Sequence, residues 1–397
     1  MKRQKRHRQS GPVRRRITWF LPVMLLLLFL TGIPVFAAEE ESGEVAGLDS
    51  LELDELEEYL SSALKEEEVS FSDLVRAAVS GDFTDLLALA ASQIANILFG
   101  ALRENGSNLR KMLALTVFSS LYISFAGSFV ASRGPGRIGF LVAYLMMAAL
   151  ALTAFQAAYQ VAAQVLTRIL TFMGMLLPVF FLTVAYAGGT VTATSFYELM
   201  LIVMAAVEWI LTNLLLPLTE VYLILRLVNS LSEEDFLSRL ADLIRRLIEW
   251  GMKTTVGVVV GMNLIQTMTL PLVDSVKNQT IRKLVSAIPW LGRGTDILTN
   301  VVLGTGALLK NGVGAAGMVV LVLLCLTPLV QLALLVLLYQ GAAALVQPLA
   351  DPRLLTCLTE TGEGCRLLMN LVLYTLVLFL LSLGILCAAS NLNYTAG

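Results

Sequence analysis

The stretch LLMNLVLYTLVLFLLSLGILCA occupies residues 367–388 and contains no charged side chain. A helix of this length crosses a hydrocarbon core about 30 Å thick, because each helical residue adds about 1.5 Å. Six further apolar runs precede it in the chain. They lie at 112–131, 138–163, 169–187, 196–225, 252–273 and 313–346. The pattern predicts an all-α fold, a polytopic transmembrane helix bundle of about seven spans.

The composition of the whole chain agrees with this prediction. Hydrophobic residues make up 57% and charged residues only 15% of the 397 residues, and the mean hydropathy is +0.77. A soluble globular domain is about one quarter charged. The excess apolar surface is therefore expected to face lipid.

The first 37 residues are typical of an export signal, because a basic segment leads into the apolar run 17–36. Val35 and Ala37 supply the small residues that signal peptidase requires at positions −3 and −1. The alternative is an uncleaved anchor helix, and in both cases the following segment is exported. We divide the chain into a signal peptide (1–37), an exported arm (38–110), a membrane domain (111–390) and a tail (391–397).

The arm is acidic and has helical periodicity. Residues 39–68 contain thirteen Asp and Glu and one basic residue, Lys65, and leucines recur near helical spacing among the carboxylates. This charge disfavours binding to nucleic acid, whose phosphates are negative. The next stretch, 82–102, is also amphipathic; it either lies in the interface or crosses the membrane with its polar residues facing protein.

Several kinds of catalytic chemistry lack the residues that they need. The only histidine, His7, lies in the signal, and the four cysteines have no CxxC spacing. The string GxxxxGK[ST] of a phosphate loop does not occur in the sequence. We therefore expect no metal, no cofactor and no enzymatic activity, and we expect that any energy source is a separate protein.

Two segments between the predicted spans differ from ordinary loops. Residues 232–250 carry one apolar face, which predicts a helix lying on the membrane surface. Residues 275–312 are too polar for an ordinary span. The signal predicts an external arm, whereas the Lys and Arg count of the loops favours the opposite orientation. A crossing by 82–102 would resolve this conflict, so the parity of spans stays open.

Polar residues inside the apolar runs are candidates for a solute pathway. Glu208 and Glu220 lie in the fourth run, where a carboxylate normally faces the bundle interior. Gln156 and Gln160, followed by Gln164, recur every four residues in the second run. Helix packing or snorkelling is the alternative explanation for these side chains.

Four Pro-Leu pairs begin at 217, 271, 328 and 348, and in each the proline lies three residues before a polar residue. They indicate broken helices of the kind that line a wet cavity at membrane depth. The alternative is that proline merely marks helix ends in a leucine-rich sequence.

Three strings in the second half of the chain are more specific: IPWLG at 288–292, KNGVGAAG at 310–317 and QPLAD at 347–351. With the acidic arm and the span layout, they make the chain similar to the stage III sporulation protein AE family. The positions concerned are Pro289, Gly292, Lys310, Asn311, Gly312, Gly317, Gln347, Pro348 and Asp351. The resemblance brings no established catalytic residue with it.

The resemblance implies a membrane subunit of a channel or secretion-like complex that joins mother cell and forespore during sporulation. Its expected partners are other membrane proteins of that complex, a separate ATPase and the lipid bilayer, with no nucleic acid. Its expected location is the mother-cell membrane around the forespore. The rival hypothesis is a self-sufficient secondary transporter that uses Glu208 and Glu220 for ion coupling.

Overall fold

The apolar stretch 367–388 lies in a helix, Pro352–Ala389, that packs at the centre of the bundle. The structure is a computed structural model, and it describes residues 54–64, 70–80, 106–107, 109–118, 133–186, 190–231, 236–286 and 292–389. All of them fall in the unit Ala38–Gly397. Within these ranges the chain is helical and no strand occurs, so the all-α prediction is confirmed.

We number eight α-helices of the described residues in chain order. They are α1 (Asp54–Leu64), α2 (Phe71–Ser80), α3 (Arg133–Tyr186), α4 (Thr190–Glu208), α5 (Leu216–Leu231), α6 (Ser238–Ser286), α7 (Gly292–Val346) and α8 (Pro352–Ala389). A π-helix, Trp209–Leu215, joins α4 to α5 without a break. Residues 109–118 are also helical.

Among the described residues, four helical stretches are long and apolar enough to cross a membrane. They are Ile138–Ala185, Tyr197–Leu231, Leu308–Val346 and Pro352–Ala388. The predicted count of seven spans is not confirmed. The predicted first span, 112–131, lies mostly outside the described residues.

Two predicted boundaries are absent because the helix continues through them. The second and third predicted spans form one helix, α3, since the linking sequence Gln164-Val165-Leu166-Thr167-Arg168 contains no helix breaker. The predicted surface helix 232–250 is likewise continuous with the fifth predicted span in α6. Gly251 between them is a helical residue beside Leu215, and a single glycine lowers helix stability by only about 1 kcal/mol.

The core forms around α8, which contacts α7, α3, α6 and α5 and is the most buried of the four candidate spans. Glycines allow close approach at two places on this helix. A Cβ at Gly364 would meet Phe155 of α3 at 2.9 Å. A Cβ at Gly314 of α7 would meet the Sγ of Cys387.

A short turn reverses the chain between α7 and α8. The backbone N–H groups of Leu349 and Ala350 both donate to the carbonyl of Val346 at 2.9 Å. Asp351 then caps α8, because its carboxylate accepts a hydrogen bond of 2.9 Å from the backbone N–H of Arg353. Pro352 occupies the first helical position, where its missing N–H costs no helical hydrogen bond.

Helix α3 and the continuous α4–α5 segment run antiparallel. The ring of Phe181 meets that of Tyr197 at 5.9 Å, and Tyr159 interacts electrostatically with Glu220. At the π-helix the N–H of Leu216 bonds to the carbonyl of Leu211, five residues earlier. The break expected near Pro217 is thus a local change of helix type, and Pro328 stays inside α7.

The two short helices of the acidic arm pack their apolar faces on the bundle. Leu56 and Leu60 of α1, and Phe71 and Leu74 of α2, are at most 2% exposed. Helix α1 contacts α3, and α2 contacts α7. The Tyr59 hydroxyl donates a hydrogen bond of 2.9 Å to the backbone carbonyl of Arg168.

Candidate functional site

The first half of α8 carries a row of charged side chains at the start of the bundle's central helix. Glu360, Glu363 and Arg366 recur at intervals of three residues, so they lie along one side of α8. The uncharged stretch 367–388 begins directly after Arg366. The row therefore stands at the edge of the apolar part of α8.

Two further arginines reach this row from neighbouring helices. Arg226 lies near the end of α5, and Arg245 lies in the second turn of α6. Asn229 connects these two helices, because its Oδ1 accepts a hydrogen bond of 2.8 Å from the N–H of Leu237 and its Nδ2 donates to Ser238. The connection brings both guanidinium groups to the same part of α8.

The Glu363 carboxylate is shared by three helices. Its Oε2 accepts a hydrogen bond of 3.1 Å from Nη2 of Arg245 on α6. Its Oε1 accepts one of 2.6 Å from Nη1 of Arg366, and Gln340 of α7 lies at 3.5 Å from the same oxygen. Glu363 thus joins α6, α7 and α8 through one side chain.

Glu360 makes the corresponding contacts with α5. Its Oε2 accepts a hydrogen bond of 2.8 Å from the Tyr222 hydroxyl and lies 3.7 Å from Nε of Arg226. Arg226 also pairs with Asp242 of α6, and Arg245 pairs with Glu249 at 3.1 Å. The contacts of Glu360 and those of Glu363 together link four helices, α5, α6, α7 and α8.

We call this set the ion network. Its members are Arg226, Asp242, Arg245, Glu249, Glu360, Glu363 and Arg366. Three positive and four negative formal charges leave it nearly balanced, with an excess of one negative charge. Opposite charges paired in this way are the usual condition under which ionised groups are buried.

The members of the ion network differ in exposure. The side chains of Glu360, Glu363 and Arg245 are 16–19% exposed, whereas Asp242 is 53% exposed. Burial acts to lower the pKa of Arg245, but Glu363, Tyr222 and Glu249 raise it by more, so the net pKa lies above its ordinary value. Arg245 therefore remains charged.

The ion network was not predicted from the sequence. Glu360, Glu363 and Arg366 lie between the sixth and seventh predicted spans, where charged residues look like part of a solvated connection. The available signal was their regular spacing of three, which indicates a helix with one charged side. Arg245, one of the two arginine partners of Glu363, is 118 residues away in sequence and cannot be identified from local spacing.

The predicted pathway residues occupy another part of the molecule. Glu208 is exposed at the end of α4, and Glu220 is half-buried beside Tyr159. Gln156 and Gln160 are exposed on α3, on either side of Tyr159 in sequence. The structure thus places Glu220 beside Tyr159, and it leaves Glu208 about three helical turns away from Glu220 along the α4–α5 segment.

The family-like motif in α7 packs against two helices. Lys310 is buried and interacts electrostatically with Cys387 of α8. Gly312 is buried, and a Cβ at Gly317 would meet Leu176 of α3 at 2.5 Å. Asn311 is half-buried, with its Oδ1 inaccessible to solvent. These positions therefore have a packing role.

The remaining motif residues belong to connections. Gln347 and Pro348 are exposed in the turn between α7 and α8, and Asp351 caps α8. Gly292 begins α7. Pro289, and the cleavage-site residues Val35 and Ala37, lie outside the described residues.

The four long apolar helices define the class: in the residues that the structure describes, this is a helical membrane protein. Comparison with known proteins identifies its family. The sequence model described as stage III sporulation protein AE matches residues 69–390. Because this match covers most of the chain, the protein belongs to the stage III sporulation protein AE family, as the resemblance predicted.

One curated relative carries the same description. The stage III sporulation protein AE of Bacillus subtilis (strain 168) is 25% identical over 297 residues, which are 75% of this chain and 74% of the relative. No solved structure matches this chain. The ion network, the α7 motif and the cap at Asp351 all fall within the residues that the family matches.

Proposed function

We propose that this protein is a non-enzymatic membrane subunit of a channel or secretion-like complex that joins mother cell and forespore. The observation that carries the proposal is the family match over 69–390, which includes all four candidate spans and the whole ion network. Under this proposal the protein resides in the mother-cell membrane around the forespore. Its partners are other membrane proteins of the complex.

The ion network suits a subunit that must keep a fixed arrangement of helices. It joins α5, α6, α7 and α8 at one level through side chains that are largely buried. Separating these helices would leave charges without their partners in a poorly hydrated place, at a cost of about 3–5 kcal/mol for a broken pair. The network therefore favours a single packing of the membrane domain.

The proposed organisation follows the predicted domains. The signal peptide, 1–37, is cleaved and exports the acidic arm, 38–110, while 111–390 forms the membrane domain and 391–397 a short tail. The proposal assigns energy supply to a separate ATPase, because the sequence lacks a phosphate loop.

The test is to purify affinity-tagged protein from cross-linked sporulating cells and to identify what accompanies it. The proposal expects other sporulation membrane proteins and an ATPase, and it expects that a deletion strain loses late forespore gene expression. A matched tag on an unrelated membrane protein is the control.

Reconstitution of the purified protein in liposomes distinguishes the proposed subunit from the rival hypothesis of a self-sufficient transporter. If the purified protein alone moves a solute across liposomes, and the double variant Glu208→Gln, Glu220→Gln abolishes that flux, the subunit proposal is wrong. Absence of flux by the protein alone, together with recovery of the complex, supports the proposal.

A further inference from the structure

One exposed surface inside the candidate spans is polar where a lipid-facing surface should be apolar. Gln156, Gln160, Gln164 and Arg168 recur every four residues on α3, and all four are exposed. On the adjacent α4–π-helix segment, Glu208 and Asn213 are exposed as well. We call these six residues the polar band.

The polar band is bounded by ordinary apolar surface. Earlier on α3, Val142 and Met146 are more than half exposed, and later Leu182 is 42% exposed. On the neighbouring segment Ile202 is 66% exposed. The polar side chains are thus a local feature within helices that otherwise suit contact with lipid.

Contact with lipid would be costly for this band. Within the described part of the chain, the side-chain amides of Gln156, Gln160 and Gln164 make no hydrogen bond to the protein. By contrast, the hydroxyls of Thr153 and Thr167 on the same helix donate to backbone carbonyls four residues earlier. An amide placed in hydrocarbon without a partner costs roughly 2–7 kcal/mol. Three such amides and two charges at one surface require a polar partner.

The two helices of the band are in register. Phe181 meets Tyr197, and Tyr159 interacts with Glu220. Tyr159 and Phe181 are 22 positions apart on α3, and Tyr197 and Glu220 are 23 positions apart on the neighbouring segment. Counting inward from these contacts places Arg168 and Glu208 within about one helical turn of the same level. A positive and a negative side chain therefore lie at one depth on neighbouring helices.

This arrangement is complementary to itself. Rotation about an axis along the membrane normal moves a second copy without changing the depth of any residue. The Arg168 of one copy then meets the Glu208 of the next at the same depth. The glutamines of α3 form a ridge of i, i+4 positions, and such ridges interdigitate where two helices pack. Their amide groups can also hydrogen-bond to one another, because amide side chains form such bonds across helices in membranes.

We propose that the polar band is the contact surface for a second copy of this chain in a membrane dimer whose two-fold axis lies along the membrane normal. Arg168 and Glu208 pair between copies, and the glutamine amides of α3 bond across the same interface. Helix α1 borders the band at Tyr59, beside Arg168, and leaves Arg168 exposed.

Cysteine cross-linking of the full chain in native membranes tests the interface. Gln160→Cys is expected to give disulfide-linked dimers on mild oxidation. Leu337→Cys, a 70% exposed position on α7 outside the band, is the matched control. The wild-type chain controls for the four native cysteines, of which three are buried. Equal cross-linking of Gln160→Cys and Leu337→Cys overturns the proposal.

A charge exchange in the Gln160→Cys background tests the predicted pair. Arg168→Glu is expected to lower cross-linking at least about tenfold, because it replaces an attraction by a repulsion at the interface. Adding Glu208→Arg is expected to restore it, at equal protein abundance. A restored signal excludes misfolding as the cause of the loss, and failure of the exchange to restore it contradicts the pairing.

Accessibility provides a second readout. A membrane-impermeant charged thiol reagent is expected to leave Gln156→Cys, Gln160→Cys and Gln164→Cys largely unmodified in intact membranes. Full modification of all three shows that the band faces water, and modification only by a lipid-soluble reagent shows that it faces lipid. Either result overturns the proposal.

Discussion

The two ends of α8 are held in place by different forces. Near its beginning, Glu360 and Glu363 bind arginines from α5, α6 and α8 itself. Near its end, Cys387 packs into the space left by Gly314 of α7. Glu363 and Cys387 are about 36 Å apart along the helix, which is close to the thickness of a membrane core. Ion pairs therefore hold the beginning of α8 in place, and close packing of side chains holds its end.

The difference predicts how each end responds to substitution. Paired charges in a partly buried network depend on their exact partners, so removing one partner leaves another charge unsatisfied. Close packing depends on volume, so a larger side chain is harmful only where a neighbour already fills the space.

Glu363→Gln should give the largest loss of stability. It keeps the shape of the side chain but leaves Arg245 and Arg366 without their shared carboxylate, which should cost about 3–5 kcal/mol. Asp242→Asn is the matched control, since Asp242 is 53% exposed and its ion pair should contribute about 0–1 kcal/mol. Unfolding of the purified protein in mixed micelles with increasing SDS measures both. A smaller loss for Glu363→Gln than for Asp242→Asn would contradict the assignment.

Gly314→Ala should destabilise the other end of α8 by about 1–3 kcal/mol, because its Cβ would clash with the Sγ of Cys387. Gly341→Ala in the same helix has no atom within 4 Å and should be neutral or slightly stabilising. The same unfolding assay compares the two variants. Adding Cys387→Ala should recover part of the Gly314→Ala loss; no recovery would mean that another contact causes it.

Asp351→Ala should have the smallest of these effects, about 1 kcal/mol, because it removes the cap of α8 without disturbing the core. Gln347→Ala, four residues earlier in the same turn, is exposed and should change stability little. Thermal unfolding of both variants under identical conditions checks the prediction. Equal stability of the two variants would show that the cap does not contribute.

The sequence predicted the class of the fold but not the number of spans. Apolar runs such as 367–388 identify helices reliably because water cannot satisfy backbone groups inside a membrane. A helix ends where the sequence contains helix-breaking residues. Gln164 and Arg168 are polar, but they do not break a helix. Helix α3 therefore continues through a predicted loop, at a length of about 80 Å.

The candidate site was harder to predict for a related reason. The sequence analysis looked for carboxylates inside apolar runs and selected Glu208, which is exposed. The buried Glu363 stands outside such a run, and its burial depends on Arg245 of another helix. The family motif in α7, by contrast, could be identified because Gly312, Gly314 and Gly317 lie close together in sequence. In the structure this motif packs α7 on α3 and α8.

A double-mutant cycle between Arg245 and Glu363 tests whether the ion network joins the α5–α6 pair to α8. Arg245→Ala, Glu363→Ala and the double variant are compared with the wild-type protein by unfolding in mixed micelles. If Arg245 and Glu363 are coupled, the loss of unfolding free energy in the double variant is smaller than the sum of the two single losses by roughly 1–3 kcal/mol. Losses that add to within about 0.5 kcal/mol would show that the two residues are not coupled, and would contradict the claim.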